Sequence, residues 1–456
     1  MSFQLAATVA PSPVLSRRHI VRAGVAAVAM AGARRLVGDD GRPAVTSPRA
    51  TSGDVTIEPN WDERLTVTVG PKDADLVGND HRVLQAAIDY VARLGGGTVK
   101  VLPGTYRLRN AVWMASHVRL LGSGDDSVLI KEASVRTKIA ADSDWYDQEI
   151  TLSDASGFRV GDGICIQGKN AHSNAPLVIK RTLVARSGNR FKLDKALREN
   201  VWKLADASVV SSFPIITGEN IHGFAIENLN LDGNRANNDL LDGNHAGCVF
   251  LQDCRDVVLH KLHAHHYHGD GLSWQICHDV RATECVSREH SGLGFHPGSG
   301  SQRPLIRGNR SENNSIGIFF CWGVKYGLAE KNVCAGNLTS GISIGHRDTD
   351  NIVRENDIRG SGQVGILFRP ERGEGFSGDR NLIEKNVVTN SGGGDGIAID
   401  VQGYTNACKL VGNTLKETRA PMSRIGVRFG EHVGQIEVTD NTLAGFSQDV
   451  VDLRKA

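Results

Sequence analysis

The stretches Gly317-Ile318-Phe319-Phe320, Gly341-Ile342-Ser343-Ile344 and Gly365-Ile366-Leu367-Phe368 decide the fold. Each is a glycine followed by a short apolar strand, and the glycines are 24 residues apart. The same glycine occurs earlier in the chain and, after two longer intervals, later, at Gly247, Gly271, Gly294, Gly396 and Gly426. A repeat of this length is typical of a solenoid, in which each repeat buries its apolar face only by stacking on its neighbours.

A second repeated residue supports this register. One asparagine recurs in each repeat, on the strand opposite the glycine-led one, at Asn309, Asn332, Asn356, Asn386, Asn413 and Asn441. Asparagines stacked at turns can hydrogen-bond to the backbone of neighbouring repeats. We therefore expect an asparagine ladder that runs along the axis of the solenoid and has a structural role.

The bulk composition excludes several classes of partner. The chain has 456 residues, with 52 basic and 51 acidic side chains and a formal charge of +1. This balance gives no electrostatic reason to expect nucleic acid or an anionic membrane as a partner. The eight cysteines lack CxxC pairs, so they indicate buried free thiols and neither a disulfide scaffold nor a zinc ribbon.

The first 33 residues have the pattern of a Tat-type export signal. The twin arginine Arg17-Arg18 precedes an apolar run from Ala23 to Met30, and Ala31-Gly32-Ala33 offers a cleavage site. The run is too short to span a membrane. We therefore expect a periplasmic or secreted product without membrane contact after the signal is removed. Residues 34–75 are predicted to be a linker and edge strands.

The next segment predicts a cap on the solenoid. Apolar residues at positions 83, 84, 87, 88 and 91 give a helical stripe, with Asn79 or Asp80 as the N-cap. The glycines at 95–97 end the helix, and a strand and the turn Pro103-Gly104-Thr105-Tyr106 follow. We expect the cap and the first coils at 76–134, a β-rich insertion that flanks a groove at 135–215, and the main coils at 216–456.

This capping helix, glycine run, apolar strand and PGTY turn resemble the start of many proteins of the pectate-lyase-like superfamily. The resemblance covers residues 75–450. It implies an all-β fold, a right-handed parallel β-helix with an N-terminal capping helix, to which the small β insertion is added. It specifies the fold and leaves the reaction open.

The register predicts which side chains form the outer face. Positions +1 and +3 after each glycine are mostly apolar and should point inward, so positions +2, +4 and +6 should face out. Coils are about 4.8 Å apart, which places five ionisable residues on one ridge within roughly 20 Å. These residues are His296, Arg347, Arg369, Glu371 and Asp400. A polar ridge with a basic middle suits an extended anionic chain such as a polyuronate.

The first functional hypothesis is β-elimination or C5 epimerisation of a uronic-acid polysaccharide. Arg347 or Arg369 would bind the substrate carboxylate, His296 or His346 would act as the base, and Tyr326 or the other histidine as the acid. The expected substrate-binding residues are Arg369, Lys325, Trp322, Gln275, Trp274 and Arg303. Phe295-His296-Pro297 resembles the Phe-Asp-Pro-His-Glu stretch of mannuronan C5 epimerases, with His296 in place of the Asp and Gly298 in place of the His.

Two alternatives remain open. Glu371 and Asp400 could form the carboxylate pair of a glycoside hydrolase; Gly269-Asp270-Gly271 and the segment Gly341–His346 resemble polygalacturonase-like members of the superfamily. A non-catalytic glycan-binding solenoid is the third class. No metal ligand is predicted at the histidines of 260–268, and calcium is left open through Asp232, Asp239 and Asp242. The sequence does not decide the oligomeric state.

Overall fold

The computed structural model describes residues 41–43, 63–170, 172–419 and 423–454. The predicted export signal and part of the predicted linker lie outside these residues. The described part contains one α-helix, α1 (His81–Arg93), which begins at the predicted N-cap Asp80. The Asp80 carboxylate accepts from the backbone N–H groups of Arg82 and Val83 and so caps the first turn. The buried face of α1 covers the start of the core, as the apolar stripe predicts.

Strands make up most of the rest. The first six are β1 (Thr66–Gly70), β2 (Leu76–Val77), β3 (Gly97–Val101), β4 (Gly104–Leu108), β5 (Val112–Trp113) and β6 (Val118–Lys131). The next six are β7 (Arg136–Lys138), β8 (Glu149–Thr151), β9 (Gly163–Lys169), β10 (Pro176–Ser187), β11 (Arg190–Leu193) and β12 (Ser208–Val210). Short 3-10 helices span Lys203–Ala205 and Arg235–Asn237.

The main coils contain the remaining strands. These are β13 (Ile216–Glu219), β14 (His222–Asp232), β15 (Gly247–Gln252), β16 (Arg255–His260), β17 (His263–His265), β18 (Asp270–Gln275), β19 (His278–Thr283), β20 (Val286–Arg288), β21 (Leu293–Gly298), β22 (Leu305–Arg307), β23 (Arg310–Glu312), β24 (Ile316–Phe319), β25 (Leu328–Glu330), β26 (Val333–Ala335), β27 (Ser340–Ile344), β28 (Ile352–Arg354), β29 (Asp357–Arg359), β30 (Val364–Phe368), β31 (Leu382–Glu384), β32 (Val387–Thr389), β33 (Ile397–Val401), β34 (Cys408–Val411), β35 (Thr414–Lys416), β36 (Ile425–Phe429), β37 (Ile436–Thr439), β38 (Thr442–Ala444) and β39 (Gln448–Asp452).

The coils stack into a right-handed parallel β-helix, as predicted. One strand of each coil joins an 11-stranded parallel sheet, here called the front sheet, which runs from β5 through β13, β15, β18 and every third strand to β39. The other two strands of each coil belong to a 22-stranded sheet, here called the back sheet. Strands β7 to β12 form a separate six-stranded antiparallel sheet, here called the insertion sheet, with its own apolar core.

The predicted asparagine ladder is present. The side-chain Oδ1 of Asn356 accepts from the backbone N–H of Asn332 at 3.0 Å and from its Nδ2 at 2.9 Å. The same pattern connects the six asparagines from Asn309 to Asn441. Of the eight cysteines, all free, seven are buried and Cys321 is half-buried, in agreement with the expectation of free thiols.

The register holds at positions +1 and +3 in most coils, where these residues are buried in the interior. It is wrong at three places. In the coil of Gly247, Phe250 pairs with Ser273, so this +3 residue faces outward. Strand β18 ends at Gln275, and Ile276 then has a φ of +55°, so Cys277 at position +6 turns inward and is fully buried. In the longer coil, Ile399 pairs with Ile366, so Ala398 occupies the place of Gly365 and Gly396 belongs to the preceding turn. Asp400 is therefore at position +2, not at +4 as predicted.

The residues that pair across the coils at the level of the outward +2 position form one row along the axis of the front sheet, here called the front row. In order, they are Phe250, Ser273, His296, Phe319, Ser343, Leu367, Asp400 and Arg428. The insertion sheet and the loop 233–246 lie over the first part of this row, and the later part carries no such cover within the described chain. None of the described helices is long and apolar enough to cross a membrane.

Candidate functional site

A buried acid–histidine pair lies on the front row. His296 Nδ1 is 2.7 Å from Asp270 Oδ2, and both side chains are almost completely buried. Asp270 begins β18 and His296 is in β21, so the pair joins neighbouring coils. The other oxygen of Asp270 accepts from the backbone N–H of Leu293 at 2.8 Å, which fixes the carboxylate. Because Asp270 accepts the Nδ1 proton, the Nε2 atom of His296 is left as an acceptor.

The loop 233–246 covers this pair. The Oγ of Ser273 donates to the carbonyl oxygen of Gly243 at 2.6 Å, and Gly243 lies directly against the Asp270 carboxylate. His296 Nε2 is buried and has no hydrogen-bond partner among the described residues. Leaving a buried polar atom unpaired costs about 1–3 kcal/mol, so such an atom is a candidate for a functional role.

An arginine-centred network lies further along the axis, around Arg369 in the third coil after that of His296. The Arg369 guanidinium lies 4.3 Å from the centre of the Phe319 ring, and the ring centres of Phe319 and His296 are 5.5 Å apart in a T-shaped arrangement. The guanidinium donates to Ser343 Oγ, the carbonyl of Phe320, Asp348 and Glu371 at 2.9–3.3 Å. These bonds hold Arg369 against the protein, so it is suited to positioning and less suited to bidentate binding of a substrate carboxylate.

The carboxylate of Asp348 fixes this network. It is fully buried and accepts from three backbone N–H groups, those of Gly323, Val324 and Gly345, at 2.9 Å each. Burial raises the pKa of Asp348, while Arg369 and these hydrogen bonds act in the opposite direction. The turn that carries Trp322 is thereby fastened to the turn that carries His346.

An exposed aromatic and cationic surface lies beside the network, and we call it the platform; it comprises Trp322, His346, Arg347, Arg372 and Phe376. Trp322 is 54% exposed and stacks on His346 at 4.5 Å, with 22° between the rings. Arg347 lies over Phe376 at 4.2 Å, and Arg372 is 5.2 Å from the Trp322 ring centre. Both arginines are exposed. An aromatic face flanked by two guanidinium groups suits a sugar ring that bears a carboxylate.

His346 is the buried member of this platform, and it packs between Trp322 and Phe376 and contacts Glu371. Glu371 accepts from the backbone N–H of His346 at 2.8 Å. The Nδ1 atom of His346 is 3.4 Å from Glu371 Oε2, which is ion-pair distance, but the geometry makes no hydrogen bond. This Nδ1 has no hydrogen-bond partner among the described residues.

A cavity of about 340 Å³ lies between the insertion sheet and the first coils of the front sheet. Its lining includes Lys180, Glu219, His245 and Gln252. Lys180 lies over the Phe250 ring at 4.0 Å and 3.8 Å from Glu219, and burial lowers its pKa. Burial also lowers the pKa of His245. The cavity continues the front row toward the N-terminal end.

The structure brings together only part of the predicted set. One region contains His346, Arg347, Trp322, Arg369 and Glu371, and His296 lies one to three coils before them on the front row. Gln275 lies beside His296, because its Nε2 donates to Ser273 Oγ at 3.2 Å.

Other predicted residues lie elsewhere. Trp274 is fully buried in the interior, because position +3 points inward. Tyr326 and Lys325 are on the turn after β24, near Asp350 and Arg380, and Tyr326 is 2% exposed. Arg303, between β21 and β22, forms an ion pair of 3.0 Å with Asp279.

Asp400 and Glu371 do not form a carboxylate pair of the expected kind. Both oxygens of Asp400 accept from Arg428, at 2.6 and 3.0 Å, and Asp400 is 2% exposed. Glu371 is engaged with Arg369 and with the backbone of His346.

Sequence reasoning missed several residues of the site. Asp270 directly precedes the repeat glycine Gly271, so it is not at one of the +2, +4 and +6 positions that were predicted to face outward. The Gly-Asp-Gly stretch around it was the available signal. Phe376 and Lys180 lie in a long turn and in the insertion, where the 24-residue period gives no register. Arg372 follows Glu371 in a charged run of the sequence. This run was the available signal for Arg372 as a site residue.

The histidine segment forms a cluster on the back sheet. One nitrogen each from His265 and His266 and one oxygen of Asp232 lie within 4.8 Å of one another. Burial lowers the pKa of His265 to about 4. Of the carboxylates considered for calcium, Asp239 pairs with Arg136 at 3.0 Å and Asp242 accepts from Asn244, so neither joins this cluster.

Comparison with known proteins agrees with the fold. Residues 247–415 match the family described as right handed beta helix region. The A-module of mannuronan C-5 epimerase AlgE4 from Azotobacter vinelandii is similar, with 15% identity and a TM-score of 0.53 over 85% of this chain and 100% of that chain. No curated protein sequence matches the chain significantly.

Two further solved structures show weaker similarity. An exopolygalacturonase from Thermotoga maritima has 12% identity and a TM-score of 0.48, over 85% of this chain and 94% of that one. An alginate lyase from Paenibacillus sp. has 10% identity and a TM-score of 0.46, over 82% and 99%.

Proposed function

We propose that this chain, a right-handed parallel β-helix repeat protein with the fold of the pectate-lyase-like superfamily, removes the C5 proton of a uronate in an acidic polysaccharide. The result would be chain cleavage by β-elimination or C5 epimerisation. The buried Asp270–His296 pair carries the proposal, because its Nε2 is an oriented acceptor without a partner among the described residues. The mannuronan C-5 epimerase module with the same fold is named for the second outcome.

The chemistry assigns one role to each group. The C5–H bond breaks, the proton moves to His296 Nε2, and Asp270 stabilises the imidazolium that forms. Electron density develops on the substrate carboxylate, where Arg347 and Arg372 of the platform would stabilise it. In elimination, a C4–C5 double bond forms as the C4–O bond breaks, and in a syn reaction His296 returns the proton to the leaving oxygen. In epimerisation, a water molecule reprotonates C5 from the opposite face, and the hydroxide that this leaves takes the proton held by His296.

The contacts of the acidic residues favour this mechanism over hydrolysis. A hydrolase needs two carboxyl groups that reach the glycosidic bond from opposite sides. Asp400 has both oxygens on Arg428, and Glu371 is engaged with Arg369 and with the backbone of His346. Reaching a substrate would require breaking these bonds.

The test is a substrate screen with two readouts. The protein after Ala33 is incubated with polymannuronate, polyguluronate, polygalacturonate and a neutral glycan, with and without calcium. Ultraviolet absorbance reports the unsaturated product of elimination, and NMR in deuterium oxide reports exchange at C5. We expect one of the two signals with an acidic polymer, and its loss in His296→Gln, while His260→Gln on the back sheet keeps it. Reducing ends without absorbance, unaffected by His296→Gln, would contradict the proposal.

We also propose that the protein is exported by the twin-arginine route. The sequence Arg17-Arg18, the short apolar run and the small residues before Ala33 support this. The first 40 residues, fused to a reporter that folds before export, should direct it out of the cytoplasm. Replacing both arginines by lysine should stop export, and export that persists without them would refute the route.

A further inference from the structure

We propose that Asp232, His265 and His266 bind a divalent transition-metal ion of the Zn²⁺ class, and that this ion anchors the loop 233–246 over the Asp270–His296 pair. The metal site stands apart from the proposed reaction, because its ligands are on the back sheet and none of them is assigned a role in proton transfer. Its binding can therefore be measured whether or not the substrate is known.

The distances are close to those of a metal site. His265 Nδ1 is 2.7 Å from His266 Nδ1 and 3.9 Å from Asp232 Oδ1. Zinc bonds to nitrogen at about 2.0–2.1 Å in tetrahedral geometry, which puts neighbouring ligand atoms about 3.3 Å apart. Shifts of less than 1 Å would therefore bring these three atoms to ligand positions.

The outer hydrogen bonds decide which nitrogens carry protons. His265 Nε2 is 2.8 Å from Asn230 Oδ1, and His266 Nε2 is 2.7 Å from Glu289 Oε2. Both partners are acceptors, so both Nε2 atoms donate and, in the neutral rings, both Nδ1 atoms present lone pairs. Two lone pairs 2.7 Å apart repel each other unless a cation lies between them. Oxygen acceptors on the far nitrogen are also the usual second shell of metal-bound histidine.

The backbone explains why two consecutive histidines can point to one place. His265 ends β17, and consecutive side chains on a strand point to opposite faces. His266 has a φ of +51°, and this left-handed residue turns its ring back beside that of His265. Asp232 ends β14 and pairs with His265 across the coils. The site thus joins two coils and uses ligands from both.

The site is at the base of the loop that covers His296. The loop begins directly after Asp232, and Asp232 Oδ1 already accepts from the backbone N–H of Asn234 at 2.8 Å. The backbone N–H of Gly233 donates to the carbonyl of His265 at 2.9 Å. An ion held by Asp232 and both histidines would fix this end of the loop, whose other part contacts Asp270 through Gly243.

Zinc titration of the chelator-treated protein tests the site. We expect one equivalent to bind at pH 7.5 by calorimetry, and an affinity at least 10-fold lower in His266→Ala and in Asp232→Asn. His266 is largely exposed, so its variant should fold; circular dichroism checks this. His260→Ala is the matched control and should bind zinc like the wild type. The site is overturned if the wild type binds no stoichiometric zinc, which is the expected result if a proton shared by the two rings, and not a metal ion, holds them together. It is also overturned if both variants bind zinc as tightly as the wild type.

Hydrogen exchange separates the anchoring role from the site itself. We expect zinc to slow exchange of the amides at 238–246 in the wild type and to leave the same peptide unchanged in His266→Ala. If zinc binds with the expected residue dependence but the exchange of this loop does not change, the anchoring role is wrong and only the metal site stands.

Discussion

At the scale of single residues, Asp270 and His296 should act as one catalytic unit. The 2.7 Å bond to Asp270 sets the tautomer of His296 and its orientation, so Asp270→Asn should present the wrong nitrogen to the substrate. We expect kcat to fall by about 10²–10⁴-fold with little change in KM. Steady-state kinetics on the polymer found in the screen measure this.

Asp256→Asn serves as the control for this prediction, because Asp256 is an exposed acid in strand β16 of the preceding coil. It should keep full activity. A rise in KM with unchanged kcat in Asp270→Asn would mean that the pair binds substrate and does not transfer the proton.

The asparagine ladder gives a second prediction at this scale. Asn356 is buried, and its side chain takes part in four hydrogen bonds, two from Asn332 and one each to Ala329 and Asn386. Asn356→Ala leaves buried donors and acceptors unpaired, so the free energy of unfolding should fall by about 2–4 kcal/mol. Urea unfolding followed by circular dichroism gives the value.

Asn441, at the end of the same ladder, provides the comparison. Asn441 is half-buried, so water can replace part of the hydrogen bonding that Asn441→Ala removes. The free energy of unfolding should therefore fall by less than about 1.5 kcal/mol. Equal losses at the two positions would show that burial does not set the strength of the ladder.

At the scale of elements, the loop 233–246 should control the geometry of the catalytic pair. A Cβ atom at Gly243 would overlap the Asp270 carboxylate, which can give way only by turning from His296. Gly243→Ala should therefore lower activity about as much as Asp270→Asn, while the melting temperature changes little. Gly394→Ala is the control, since a Cβ there meets no atom within 4 Å. Full activity in Gly243→Ala would mean that the loop moves away at no cost.

The junction between the β-helix and the insertion sheet contains a buried lysine. Lys131 Nζ donates to Ser212 Oγ at 3.0 Å and faces the rings of Phe213 and Tyr267. Burial lowers the pKa of Lys131 from 10.5 to about 7. Between these two pH values the unfolded chain binds one proton more than the folded protein, so stability should rise with pH.

The measurement compares the wild type with Lys131→Met between pH 7 and pH 8.5. The contribution of Lys131 should increase by up to about 1.4 kcal/mol per pH unit, and Lys131→Met should lack it. Taking the difference of the two unfolding free energies cancels other titrating groups. Lys138→Met, an exposed lysine of the insertion sheet, should keep the pH dependence of the wild type. Parallel curves for the wild type and Lys131→Met would contradict the prediction.

At the scale of the whole molecule, the repeat period predicts the positions of residues in the regular coils, and it fails for residues in or next to segments that interrupt the repeat. The asparagine ladder and most of the inward positions follow from the repeated steps, and the sequence predicts them residue by residue; Phe250, beside the first long loop, is an exception. Asp400 was misplaced because the long turns before it add residues that shift the glycine from its usual place. Lys180 and Phe376 could not be found, because contacts made by an insertion and a long turn depend on how these segments fold back.

The two ends of the solenoid are closed differently, and this should appear in its dynamics. Helix α1 covers the first coil, where Leu84, Ile88 and Val91 are fully buried. In the last described coil, Val450 and Leu453 are 53% and 48% exposed. Because each coil contacts only its neighbours, a coil with one neighbour opens more easily than one with two.

Hydrogen exchange with mass spectrometry should therefore show a gradient along the axis. We expect the amides of β37 to β39 to exchange fastest among the strands of the coils, those of β24 to β30 slowest, and those of β3 and β4 under the helix to be nearly as protected as the centre. The reason is the number of neighbouring coils, since the hydrogen-bond pattern is the same at each step. Equal protection of the amides at both ends would mean that another surface covers the last coil in solution. If that surface belongs to a second copy of this chain, the protection of the last coil should decrease on dilution.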